Sequence, residues 1–395
     1  MLHKTKNRVT ARPRPATPFF LLVLGMVAVV IQARDLPVQP APVEHARNLE
    51  ITPCDHSTTV TVRNAWPDAP DLTYVLVPRR STQPMPVIQA SDGTVIRTPV
   101  RRVVSLSTPN IPFLRDLGVL DTLVAVDTGD YVYDADVLER IAAGDVRSVG
   151  TGASLDLERV IELAPDVVLV SALGPDDPAV TRLRGAGVPV LVVADWREST
   201  PLGRAEWLRL FGALFERDAR AAEIFRERAD RYTEIRDRVT RRVPSDQRPT
   251  VFANGPWQGQ WPVPAGDSYM ARLFADAGAQ YLWAHTEGTG SIFLDLEAVL
   301  ARALTADYWI NLNYDWTNMA DVRRADRRLT TFAAYRAGRL YHYIRRVRPS
   351  GANDFWETGV GRPDLVLADL VAILHADDPA ILPDHEPVFY QRIGP

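Results

Sequence analysis

The chain has 395 residues, 46% of them hydrophobic and 24% charged, and a formal charge of −4. That balance belongs to a folded globular protein and excludes a disordered one, and the length accommodates two domains plus an extra segment. The single cysteine, Cys54, excludes an intramolecular disulfide and a multi-cysteine metal site.

Residues 1–33 carry Lys4, Lys6, Arg8, Arg12 and Arg14 with no acid, followed by an apolar run over 19–31 and then Gln32-Ala33. Such a run suits the core of a signal peptide better than a bilayer span, which needs about 20 residues. An uncleaved N-terminal anchor is the alternative, and either way the body lies outside the cytoplasm, as a periplasmic protein would. Losing those five cations takes the formal charge from −4 to −9. An acidic mature protein is a poor partner for nucleic acid. Cys54 does not directly follow the apolar run, so a lipid-modified cysteine anchor is not expected.

Residues 34–99 read as a linker and a β-rich extension. The stretch 34–47 is proline-rich. Short alternating runs follow at 48–52, 58–63 and 72–77, then 87–88 and 94–96 around Ser91-Asp92-Gly93, where Asp-Gly between β-formers predicts a hairpin.

At Arg101 the pattern changes, and residues 100–217 form a first α/β unit. Continuous Val/Leu strands at 103–106, 123–126, 167–170 and 190–193 alternate with helices at 107–118, 155–163 and 180–186. This predicts a parallel sheet covered on both faces. Ligands on such sheets sit beyond the carboxyl ends of the strands. The candidates there are Ser107 and Thr108, then Asp127, Asp130, Tyr131 and Tyr133, then Ser171, and lastly Asp195, Trp196, Arg197 and Glu198.

After a helix at 203–215, residues 218–243 predict one long helix. Ala221, Phe225, Ala229, Tyr232, Ile235, Val239 and Val243 recur at steps of three and four, and the other face is nearly all Arg, Asp and Glu. With Asp218 as a plausible N-cap and Pro244 as the stop, it should run about 26 residues, roughly 39 Å. It reads as a rigid spine between two α/β lobes, the second over 244–395. That lobe shows a strand at 250–253, a Gly/Pro loop at 254–268, helices at 269–278 and 296–303, and a strand at 308–312. A helix near 329–337, a strand at 340–343 and a helix at 365–375 complete it.

An internal echo links the halves: Leu155-Asp156-Leu157-Glu158 and Leu294-Asp295-Leu296-Glu297 each open a helix that leads to a strand. Capping and the helix dipole account for both acids. Alternatively, the two glutamates are equivalent exposed points that a partner with two-fold symmetry would meet together.

These runs carry a resemblance. RRVVSLSTPNIPFLRDLGVLDTLVAVD, VGTGASLDLERVIELAPDVVLV and GVPVLVV in the first half, then PTVFANG, SYMARLFADAGAQYLW, GRLYHYIRRV and GANDFWETGVGRPDLVLADLVAILH, resemble the periplasmic substrate-binding proteins of importers for iron complexes and cobalamin. The resemblance covers about 100–393 and belongs to the helical-backbone class. It implies an α/β fold of two Rossmann-like lobes with parallel sheets joined by one rigid helix. It also implies a monomer that catalyses nothing, carries no cofactor of its own, and hands a ferric siderophore, haem or cobalamin to an ABC permease dimer with its ATPase. By motif position, Glu158 and Glu297 would dock on arginines of the two permease subunits.

The lining of the cleft should show the ligand class. Trp257 and Trp261 lie in the 254–268 loop, and Trp316 and Trp356 also follow the spine. Aromatic faces suit a metal chelate, haem or corrinoid. Asn353 opens a polar run that either lines the cleft or ties its loop down. Arg345, with Arg346 and Arg348, either grips an anionic chelate or forms a solvated basic face. Direct metal ligation is not expected, because none of the seven histidines shows the i, i+4 spacing of a zinc helix. His285 and His342 would be the candidates for an iron ligand. A two-lobed glycosyltransferase is opposed by the lack of GxGxxG or a P-loop after either first strand, and an extracytoplasmic sensor on the same fold is the other alternative.

Overall fold

The computed structural model describes residues 42–82 and 93–395. The run read as a signal peptide, and most of the turn expected at 91–93 with its arm at 87–88, lie outside the described residues.

The extension is a four-stranded sheet of β1 (Leu49–Cys54), β2 (Ser57–Val62), β3 (Leu72–Pro78) and β4 (Thr94–Thr98), in that order. The first two pairings are antiparallel, whereas β4 lies parallel to β3. Alternation puts Val60, Val62, Tyr74, Leu76 and Ile96 inward, and these join the core of the first lobe.

That lobe runs β5 (Val103–Ser105), α1 (Asn110–Asp116), β6 (Leu123–Val126), α2 (Ala135–Ala143), β7 (Arg147–Ser148), α3 (Leu157–Glu162), β8 (Val167–Val170), α4 (Pro178–Gly185) and β9 (Val190–Val192). Its sheet has the order β7-β6-β5-β8-β9 and every pairing is parallel. Each residue of β6 and β8 is buried, as two-sided cover by helices requires. The edge strand β9 is covered by the extension, where the Val192 amide donates to the Tyr74 hydroxyl at 3.0 Å.

The helix expected over 203–215 is two helices, α5 (Pro201–Glu206) and α6 (Leu208–Leu214), and every residue in both is buried. Gly212 lets α6 meet the spine: a Cβ there would lie 2.7 Å from Ala221 Cβ. Gly212→Ala is therefore expected to lower stability by about 1–3 kcal/mol through overpacking. A urea midpoint unchanged within error would contradict that close approach.

The spine is α7 (Asp218–Arg242). Asp218 lies in its first turn and does not cap it by side chain; Arg217 occupies the cap position. The apolar stripe divides between two cores. Ala221, Ile224 and Phe225 belong to the first lobe, Tyr232, Ile235 and Val239 to the second, and the half-buried Ala229 packs against both. One continuous helix thus carries part of each core, which makes it a stiff connection.

The second lobe runs β10 (Thr250–Ala253), β11 (Trp261–Pro264), α8 (Tyr269–Asp276), β12 (Gln280–Tyr281), β13 (Ser291–Leu294), α9 (Leu296–Ala303), β14 (Tyr308–Ile310), α10 (Met319–Ala325), α11 (Ala333–Arg336), β15 (Leu340–His342), α12 (Asp354–Gly361), α13 (Pro363–Leu374) and β16 (Gln391–Arg392). Its sheet has the order β12-β10-β14-β15-β16, parallel except for the last strand. β11 and β13 form a separate antiparallel ribbon. The fold is thus two parallel-sheet α/β lobes joined by one helix, with a β-rich extension on the first. No helix among the described residues is long and apolar enough to cross a membrane.

Candidate functional site

The carboxyl ends of both sheets carry the exposed aromatic surface. Nine large apolar side chains stand exposed among the described residues. Tyr131, Leu173, Trp257, Tyr314 and Val347 lie in the segments leaving β6, β8, β10, β14 and β15, and Trp356 sits in the first turn of α12. Five of nine at strand mouths, with Trp356 at the start of the following helix, is the distribution expected of a ligand crevice, not of scattered surface residues.

Local hydrogen bonds shape the first lobe's mouth. The Ser105 hydroxyl donates to Ser107 O at 2.8 Å and accepts from Asn110 Nδ2 at 3.0 Å. This fixes the turn bearing the half-buried Ser107 and Thr108. Thr128 Oγ1 accepts from the Asp130 amide, and the short turn it caps presents Tyr131, 60% exposed, to solvent. Asp127 is buried with one carboxylate oxygen unpartnered, and burial pushes its carboxyl above the ordinary range.

In the second lobe, Trp257 and Gln260 exchange both backbone hydrogen bonds across a tight turn that projects the Trp257 ring. Trp261 was expected beside it in the crevice, but it is fully buried. It belongs to β11, faces the core, and donates from Nε1 to Ala253 O at 3.0 Å. Trp316 is likewise a core residue, edge-on to Trp309 with ring centroids 5.8 Å apart. Asn353 ties its loop down, accepting from the Phe355 amide as the cap of α12 and donating to Tyr343 O. Trp356 is partly exposed at the start of that helix, edge-on to both Tyr343 and Phe355.

The arginine group divides. Arg346 pairs with the buried Asp354 at 3.0 Å, and Arg348 donates from Nε to Tyr133 O at 2.6 Å. Both guanidinium groups lie over the Tyr133 ring. Arg345 is exposed and its side chain has no protein partner among the described residues, so it alone of the three is free to meet an anion.

These contacts bring the two mouths together, because Tyr133 belongs to the first lobe and the arginines to the second. A second bridge lies deeper. Asp195 pairs with the buried Arg204 at 3.0 Å, and that guanidinium covers the Tyr269 ring of the other lobe at 4.5 Å. Arg204, Tyr269, Phe355 and Trp356 line a small hollow between α5 and the second lobe, with a cavity volume of about 20 Å³, room for about one water.

Two further candidates, Arg197 and Glu198, bond to the extension instead. Glu198 accepts from the Arg47 and Asn48 amides and from Trp207 Nε1, while Glu206 accepts from the amides of Glu44, His45 and Ala46. The end of the proline-rich stretch is therefore gripped, not loose. Trp196 is half-buried under the Arg197 guanidinium, and Arg197 donates to Asn64 O of the extension.

His342 is sealed inside β15 with neither ring nitrogen hydrogen-bonded, and burial pushes its pKa down to about 3. It is a neutral core residue, out of reach of a ligand. His285 is exposed, its Nδ1 3.3 Å from Arg302. No cluster of three or more His, Cys, Asp or Glu that could hold a metal occurs among the described residues. Glu158 and Glu297 both lie exposed in the second position of their helices, which Asp156 and Asp295 cap by side chain. Glu297 pairs with Arg328 at 2.9 Å.

Comparison with known proteins bears on the fold and the family. Two uncharacterized lipoproteins of Methanocaldococcus jannaschii are similar: one is 25% identical over 72% of this chain and 67% of its own length, the other 23% identical over 68% and 69%. Among solved structures, a periplasmic haem-binding protein from Pseudomonas aeruginosa superposes with a TM-score of 0.53 at 21% identity, over 73% of this chain and 95% of its own. A protein of an ABC-type Fe3+-hydroxamate transport system from Saccharomonospora viridis gives 0.52 at 21% identity, over 70% and 94%. Residues 103–346 match the family model described as periplasmic binding protein, and the chain belongs to that family.

Proposed function

We propose that this protein is an extracytoplasmic solute-binding protein that holds a metal chelate, namely a ferric siderophore, haem or corrinoid, between its lobes and delivers it to an ABC importer. It carries no cofactor and catalyses nothing; the chelate is cargo. The observation that carries this reading is the aromatic crowding at the strand mouths of both lobes, Tyr131 on one side and Trp257, Tyr314 and Trp356 on the other. Large, flat or caged ligands are held by such faces, and the free Arg345 adds one cation for an acidic chelate. The haem-binding and Fe3+-hydroxamate proteins with the same fold support the ligand class. The apolar run over 19–31 serves as the export signal or an uncleaved anchor. Although the curated relatives are named lipoproteins, Cys54 closes a strand and does not follow that run.

Titration with haemin, ferric hydroxamate and catecholate siderophores, and cobalamin, followed by tryptophan fluorescence, tests the reading. One class is expected to quench at micromolar concentration or below. Trp257→Ala and Trp356→Ala should each weaken that binding by about three- to tenfold, the worth of one aromatic contact. No quenching by any of these ligands would overturn the proposal.

A further inference from the structure

The two lobes are joined by more than the spine. Glu357, buried in α12 of the second lobe, accepts two consecutive backbone amides of the first lobe, Tyr133 N at 2.7 Å and Asp134 N at 2.9 Å. Those amides open α2 and follow directly on the turn that presents Tyr131. Trp356 is the neighbour of Glu357 in sequence, so one carboxylate ties an aromatic of each wall to the other. We propose that Glu357 is a positioning residue, a proton-sensitive latch that holds the Tyr131–Tyr133 segment against α12 and thereby holds the rim of the binding crevice closed. This deepens the binding reading and rests on it only for its consequence, not for the latch itself.

The surroundings give the direction. Asp134 and Asp354 are the acids nearest Glu357, each already paired, with Arg115 and Arg346 respectively. Arg348 is spent on Tyr133 O, α5 contributes Arg204 with its partner Asp195, and α1 and α13 contribute Asp116 paired with Arg228 and Asp364 paired with Arg362. No cation is left to neutralise Glu357, and burial pushes its pKa up to about 7 despite the two amides. In the closed rim the group thus binds its proton more tightly than when the rim opens and water restores an ordinary carboxyl. Protonation therefore favours the closed form, and that advantage fades as pH rises through 7. With values of about 7 closed and 4.5 open, the closing equilibrium should fall about 30-fold between pH 5.5 and 8.5.

Amide hydrogen exchange on the ligand-free protein tests this, because it reports rare local openings. Corrected for intrinsic rates and referenced to amides of β8, protection at Tyr133 and Asp134 should drop by at least tenfold from pH 5.5 to 8.5. Glu357→Gln keeps the volume and carries no proton to lose, so its protection should stay flat from pH 5.5 to 8.5. Protection flat with pH in the wild type, or a Gln variant that follows the wild-type profile, would overturn the latch. The wild-type profile decides alone if the variant does not fold. For whichever of haemin, siderophore or cobalamin binds, the dissociation rate should rise over the same pH range in the wild type only; a rate that ignores the exchange profile would break the link to binding. If none binds, the exchange data still decide the latch and only the ligand reading fails.

Discussion

Replacing Asp369 by alanine is expected to destabilise the protein by about 3–5 kcal/mol, the cost of removing one member of a buried charged network. Its carboxylate is fully buried in α13 and accepts from the amides of Val388, Phe389 and Tyr390, at 2.8, 2.6 and 3.0 Å, and from His385 Nε2 at 2.6 Å. Alanine would leave those donors without an acceptor in a place water does not reach. Asparagine keeps the shape and one acceptor oxygen, so Asp369→Asn should cost less, about 1–3 kcal/mol. The effect extends to the crevice. The loop it holds includes Phe389, whose carbonyl accepts from the Arg345 amide, and Tyr390, whose hydroxyl donates to Asn311. Urea unfolding measures it, with the midpoint moving and the slope unchanged. A loss below about 1 kcal/mol for alanine would mean that the loop finds other acceptors, contrary to the geometry.

The parts of the fold legible in the sequence were those with strong local periodicity. The strands at 123–126, 167–170 and 250–253 and the helix at 296–303 occupy the predicted spans because continuous Val/Leu runs, or a capped apolar stripe, have one solution each. The spine was legible for the same reason. The ribbon strand β11 was not, since Trp-Pro-Val-Pro reads as a loop. Yet its period-two pattern, with Trp261 and Val263 inward, was the available sign that Trp261 faces the core while Trp257 does not. The buried carboxylates had no local signature at all. Glu198, Glu206 and Glu357 take their amide donors from 150 or more residues away in the chain, and nothing near them in sequence marks them as interior. Glu198 was named only for its place after a strand end, together with the buried Asp127 and Asp195, whereas Glu158 and Glu297, which the echo between the halves made visible, are exposed.

Combining Glu158→Ala with Glu297→Ala is expected to abolish uptake through the importer while leaving ligand affinity within about twofold of wild type. Both glutamates sit at the second position of capped helices and outside the pocket, so their loss should cost the fold only about 0.3–1 kcal/mol each through the helix dipole. The two sites start from different states. Glu158 has no ion-pair partner among the described residues, whereas docking through Glu297 would exchange Arg328 for a cation of the proposed permease. That exchange is cheap, because an exposed pair is worth about 0–1 kcal/mol and Arg328 retains Asp326 at 2.7 Å. Exposed apolar groups lie beside both acids, Ile161 three residues after Glu158 and Phe293 four before Glu297, so each contact would combine a charge with an apolar anchor. Single variants should therefore each retain part of the uptake, and Arg328→Ala should not reduce it. Radiolabelled or fluorescent ligand uptake by cells or proteoliposomes, alongside the fluorescence titration, gives both readouts. Normal transport by the double variant would remove the docking role from these residues and leave the echo explained by helix capping alone.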